Sequence, residues 1–115
     1  MSVTKRSYEF KQIIDTHIFS DLGPNELAQL TNLSLSSFKR MFKKTYHDTP
    51  ANYFKQKRLE KAAEFLILTD KSIGEIAYEC GFKEIAHFSF CFKEKFGISP
   101  SLYRMNLTHK NLNLS

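Results

Sequence analysis

The chain has 115 residues, 42% of them apolar, and a formal charge of +5, which fits one domain, or two small ones sharing a helix. It contains no apolar run of the roughly 18 residues that crosses a membrane, and no apolar leader after a basic start, so the sequence reads as cytoplasmic, with no membrane as partner. Sixteen aromatic residues, eleven of them Phe, supply large apolar anchors for so short a chain.

In chain order the pattern predicts helices throughout. Residues 7–19 carry Phe10, Ile13, Ile14 and Ile18 at helical spacing before "SDLGP" stops them. Gly23 then serves as N-cap and Pro24 suits the first helical position, so a short helix is expected over 24–31. Ser34 caps a third helix that reaches Tyr46. Thr49 and Pro50 open a fourth, without Gly or Pro, through Leu59, Ala62, Ala63 and Leu66 to Leu68. Ser72 and Glu75 form a capping box for the fifth, which stops at Gly81 in the left-handed conformation. The sixth spans 84–96 and ends at Gly97, and Ser99 with Pro100 opens a short seventh. Residues 108–115, "THKNLNLS", read as a flexible tail.

The chain writes one motif twice. "FKRMFKKTYHDTPANY" from Phe38 is answered by "FSFCFKEKFGISPSLY" from Phe88, at an offset of fifty. Phe38 falls on Phe88, Phe42 on Phe92, Lys43 on Lys93, Pro50 on Pro100 and Tyr53 on Tyr103; upstream, "ELA" at Glu26 answers "EIA" at Glu75 at an offset of forty-nine. An ordered match of this kind marks two copies of one supersecondary unit. Each copy is a short helix, a tight turn and a longer helix, the pattern of a helix-turn-helix whose second helix enters a DNA major groove. The expected fold is therefore all-α, about seven helices, with the first helix-turn-helix at about 24–46, a linker helix at about 50–69 and the second helix-turn-helix at about 72–96, all within a domain of residues 1–107.

Charge placement sets this apart from a plain helical bundle. Between Ser34 and Lys61 the net charge is +6, and over the rest of the chain it is −1. A solvated helix face usually interleaves signs, whereas a one-signed stripe suits a phosphate backbone. On the third helix Leu35, Phe38, Met41, Phe42 and Thr45 share one side, while Ser36, Lys39, Arg40 and Lys43 share the other. The first set packs. In the second, small Ser36 lets the backbone approach the groove, and Lys39 and Arg40 can donate to guanine O6 and N7. Lys43, Lys44, Lys55 and Arg58 are expected on phosphates.

Four separated blocks, "RLEKAAEFL" from Arg58, "SIGEIAYECGF" from Ser72, "HFSFCFKEKFG" from His87 and "ISPSLYR" from Ile98, resemble the signature of the DNA-binding domain of AraC/XylS transcriptional regulators. The resemblance covers residues 13–104. It implies two helix-turn-helix units bridged by a long helix, in a sequence-specific regulator, an activator, that binds double-stranded DNA beside a promoter and touches RNA polymerase. It also implies an effector-binding or dimerisation domain upstream in the native protein. A linker helix of about twenty residues is roughly 30 Å long, close to the ~34 Å between successive major-groove faces, so one chain can address two grooves at an asymmetric site.

The second unit departs from this pattern. Ser36, Lys39, Arg40 and Lys43 are matched by Ala86, Ser89, Phe90 and Lys93, and Phe90 stands where the family commonly has a basic residue. Two readings of Phe90 stand open: apolar contact with thymine methyls together with Ala86, or packing against a neighbour. His87 can reach a phosphate or base, and Lys93 a phosphate. Other chemistry has little support. Cys80, His87 and Cys91 match no structural zinc spacing, and no phosphate loop or nucleophile with a nearby base is present, so no enzyme activity, cofactor or metal is expected. The alternatives are a helical protein-interaction module without DNA binding and the DNA-binding segment of a repair enzyme, which would need an exposed reactive Cys.

Overall fold

Ser34, Thr49, Ser72 and Ser99 each stand just before an expected helix, with a hydroxyl able to take up an amide left unpaired in the first turn. The computed structural model, which describes residues 5–114 and the side chains of 5–108, uses all four. Ser34 Oγ accepts from the N–H of Ser37 at 3.2 Å, Thr49 Oγ1 from Asn52 at 3.3 Å, Ser72 Oγ from Glu75 at 3.1 Å and Ser99 Oγ from Leu102 at 3.2 Å. At Ser72 the cap is reciprocal. The Glu75 carboxylate accepts from the Ser72 N–H at 2.9 Å, and this bond holds its carboxyl below the usual range.

The described residues form seven helices and no strand: α1 (Lys5–His17), α2 (Pro24–Leu30), α3 (Leu35–Tyr46), α4 (Pro50–Leu68), α5 (Ile73–Glu79), α6 (Ile85–Phe96) and α7 (Pro100–Leu114). The seventh is not short. Between Pro100 and Leu114 there is no Gly or Pro to stop it, so the helix continues through 108–114, where the sequence pattern suggested a tail. Thr108 keeps its hydroxyl on the helix, donating to the Arg104 carbonyl at 2.7 Å. Ser115 and residues 1–4 lie outside the described residues.

The chain divides into two units, Met1–Lys57 and Arg58–Ser115, and α4 contributes to both. In the first, Phe10 and Ile14 of α1, Leu27 and Ala28 of α2, Phe38 and Phe42 of α3 and Phe54 of α4 form one buried cluster. In the second, Leu59, Ala62, Ala63 and Leu66 of α4 meet Ile76 and Ala77 of α5 and Phe88, Cys91 and Phe92 of α6. Arg104 of α7 closes the second unit. Its guanidinium donates to the carbonyls of Leu66 at 2.9 Å and Thr69 at 3.1 Å, taking up acceptors that the C-terminus of α4 leaves unpaired.

The sequence repeat is also a repeat of ring geometry. Phe38 and Phe42 lie 5.9 Å apart and tilted, and Phe88 and Phe92 lie 5.7 Å apart and tilted. Phe42 stacks on Tyr46 at 4.6 Å as Phe92 does on Phe96 at 4.4 Å. Tyr53 meets Phe42 edge-on at 5.5 Å, and Tyr103 meets Phe92 edge-on at 5.2 Å. The turns repeat too. Leu33 N–H donates to Ala28 and Phe82 N–H to Ala77, each across a residue of positive φ, Asn32 at 60° and Gly81 at 95°. The helix ends match likewise, with His47 at φ 59° where Gly97 has 85°.

One position of this match is unequal in chemistry. The Tyr46 hydroxyl is buried without a hydrogen-bond partner, and burial, with Asp15 and Tyr53 adding to it, pushes the phenol's pKa up. Phe96 occupies the same place in the second unit with no hydroxyl to satisfy. Tyr46→Phe is therefore expected to stabilise the protein by about 1 kcal/mol, the low end of the cost of an orphaned buried polar group. Thermal melting should show a rise of a few degrees. A fall would mean that the hydroxyl has a partner.

Candidate nucleic-acid interface

α3 carries an apolar side and a cationic one because its Phe residues recur at i and i+4 while its Lys and Arg residues fall between them. Phe38 and Phe42 are fully buried, and Leu35, Met41 and Thr45 are half-buried beside them. On the opposite arc Ser36, Lys39, Arg40, Lys43 and Lys44 are all exposed. The structure thus brings the five expected residues of α3 together on one face.

That face is partly organised. The Arg40 Nη2 donates to Ser37 Oγ at 3.1 Å, a contact that sequence spacing alone did not single out. Ser37 also donates its backbone N–H to the capping Ser34, so the cap and the arginine's anchor share one residue. The bond occupies one of five guanidinium N–H groups and leaves the others available for a planar acceptor. Lys43 and Lys44 lie in the last turn, where the helix dipole also favours positive charge. Lys55 and Arg58 are half-buried on α4, and Arg58 has an interaction of its own, so both stand less free than the lysines of α3.

On α6 the matching face is exposed but not cationic. Ala86, His87, Phe90 and Lys93 are exposed, and Ser89 is half-buried. Phe90 is 63% exposed, which overturns the reading that it packs against a neighbour. His87 turns along the helix toward Cys91, with its Nε2 3.7 Å from the Cys91 Sγ, and its ring lies 6.0 Å from Phe82. At the edge of the face the match to Lys44 is Glu94, also exposed, so one position has reversed its charge.

The cysteines are buried, and burial together with Glu79 pushes the Cys80 thiol up to about 11, which leaves it protonated and a poor nucleophile. Among the described residues no cluster of three or more His, Cys, Asp or Glu is arranged to hold a metal ion. His109 lies beyond the described side chains. No described helix is long and apolar enough to cross a membrane.

A family profile described as a helix-turn-helix domain matches residues 27–106. The chain belongs to the AraC/XylS family of helix-turn-helix regulators. The transcriptional regulator GbdR of Pseudomonas aeruginosa is 36% identical over 92 residues, which are 80% of this chain and 25% of that protein. This chain therefore spans about a quarter of that relative's length. Among solved structures, the C-terminal domain of AraT, a response regulator from Geobacillus stearothermophilus, is 31% identical with a TM-score of 0.81 over 92% of this chain and 88% of that one. The DNA-binding domain of AdpA, solved with a target DNA, shares the fold at a TM-score of 0.84 and 23% identity, covering 93% of this chain and 96% of its own.

The exposure of Phe90 has a direct consequence for stability. A charge placed there meets water rather than core, so Phe90→Arg should leave the melting temperature within the range of ordinary surface substitutions, about ±0.5 kcal/mol. A loss of several kcal/mol would show that the ring is covered in the folded protein.

Proposed function

We propose that this chain is the sequence-specific, double-stranded DNA-binding part of a bacterial transcription regulator, an activator that also touches RNA polymerase, and that it acts by binding rather than as an enzyme. The observation that carries the reading is the one-signed exposed face of α3, with Lys39, Arg40, Lys43 and Lys44 on the second helix of a helix-turn-helix. Each unit offers its second helix to a major groove, and the two bind successive grooves of one asymmetric site. Ser36, Lys39 and Arg40 meet base edges, while Lys43, Lys44, Lys55 and Arg58 hold phosphates. In the second unit Ala86, His87, Ser89 and Phe90 face the groove and Lys93 a phosphate. Because α3 carries the cations, the first unit supplies most of the affinity.

Titration of DNA against salt tests the reading. Affinity should fall steeply as salt rises, and Lys43→Ala should lower the log–log slope by about one, the loss of one phosphate contact. Affinity without salt dependence would leave a helical protein-interaction module as the better account.

Arg40→Ala separates base reading from phosphate clamping. A lost bidentate contact should cost ~1–3 kcal/mol on a selected site and relax preference at one base pair. Equal weakening on every sequence, measured against random duplexes, would assign Arg40 to the backbone instead.

A further inference from the structure

We propose that the second unit reads thymine methyl groups, with Phe90 and Ala86 as its reading side chains, whereas the first unit reads by hydrogen bonds. The inference rests on the DNA-binding function above.

The placement of Phe90 follows from packing. Phe88 and Phe92 are wholly buried, as Phe38 and Phe42 are, and their ring geometry matches within a few tenths of an ångström, so α6 is rotated on its own core as α3 is on its own. Phe90 therefore holds the position of Arg40, Ala86 that of Ser36 and Lys93 that of Lys43, each of them exposed. A ring held 63% in water has no reason of stability to be there, since burial of its apolar surface is what would favour folding.

The chemistry of this face narrows what it can meet. No long donor projects from it where Arg40 and Lys39 project on α3, so a bidentate contact to guanine has no counterpart. Ser89 is half-buried and His87 is turned toward Cys91 and Phe82. The C5-methyl of thymine is the apolar feature of the major groove, and a small Ala beside a large ring forms a surface to cover it. Lys93 remains on the arc to hold a phosphate, while Glu94 opposes the backbone at the edge, so charge contributes less here than at α3 and apolar contact must contribute more. The second part of the site should be rich in thymine and indifferent to guanine.

Substitution of deoxyuridine for thymine tests this, because it removes the methyl and leaves every hydrogen-bonding edge in place. The chain is used whole, on a duplex chosen by selection from random DNA, with uridine introduced one position at a time. Affinity is expected to drop about four-fold at each contacted methyl, the worth of one buried methyl-sized group, and only in one half of the site. Phe90→Ala should melt with the wild-type protein and lose that sensitivity. Salt-dependent binding that is blind to uridine everywhere would overturn methyl reading while leaving the DNA function standing, as would a Phe90→Ala protein that still tells thymine from uridine. A Phe90→Ala protein with unchanged DNA affinity but lost promoter activation would assign the ring to a protein partner instead. Absence of any DNA binding would overturn both readings.

Discussion

Three rings on the second helix of each unit, Phe38, Phe42 and Tyr46 in one and Phe88, Phe92 and Phe96 in the other, hold that helix at a fixed rotation. Each such ring buries on the order of 150–250 Å², and the four Phe residues deepest in the two ladders have no exposed surface at all. Turning α3 or α6 by a single residue would bring one of these rings into water. Which residues face outward is thus decided by the residues that face inward. Ser36, Lys39, Arg40 and Lys43 form a face because Phe38 and Phe42 cannot leave theirs.

That division lets the two copies differ on their outer faces while their cores stay alike. The inner ladder, the edge-on tyrosines Tyr53 and Tyr103, and the hydroxyl caps at Thr49 and Ser99 are held in common. Outside, Arg40 is matched by Phe90, and Lys44 by Glu94. Exposed positions can change identity with little effect on stability, so a duplicated unit can keep its packing while its outer face takes on a new chemistry. The first unit also carries local costs that the second avoids. Asn32 and His47 hold positive φ where Gly81 and Gly97 stand in the repeat, and Tyr46 has a hydroxyl where Phe96 has none.

α4 serves both cores with one continuous stretch of backbone. Phe54 belongs to the first, and Leu59, Ala62, Ala63 and Leu66 belong to the second. Its ends are satisfied by different means, the Thr49 hydroxyl at the start, and at the end the Thr69 hydroxyl on the Phe65 carbonyl together with the Arg104 guanidinium on those of Leu66 and Thr69, so the helix needs no glycine stop there. Membership of the AraC/XylS family agrees with this economy, since a single helix joins the two helix-turn-helix units.

The sequence alone determined the features that depend on near neighbours. Caps at Ser34, Thr49 and Ser72, the ends of α3 and α4, and the repeat at an offset of fifty were legible because each rests on residues three or four apart or on simple self-comparison. The positive φ at His47 was legible in principle, through Gly97 at the same offset, although nothing in "YHDTP" itself announces it. Two matters were decided by tertiary structure. In "FSFCF" the alternating rings place Phe90 away from Phe88 and Phe92, but only the absence of a covering neighbour among the described residues leaves it in water. The tie from Arg104 to the end of α4 joins residues 35 and 38 positions apart, and such a bond exists only once two helices have packed, which no local pattern of residues encodes.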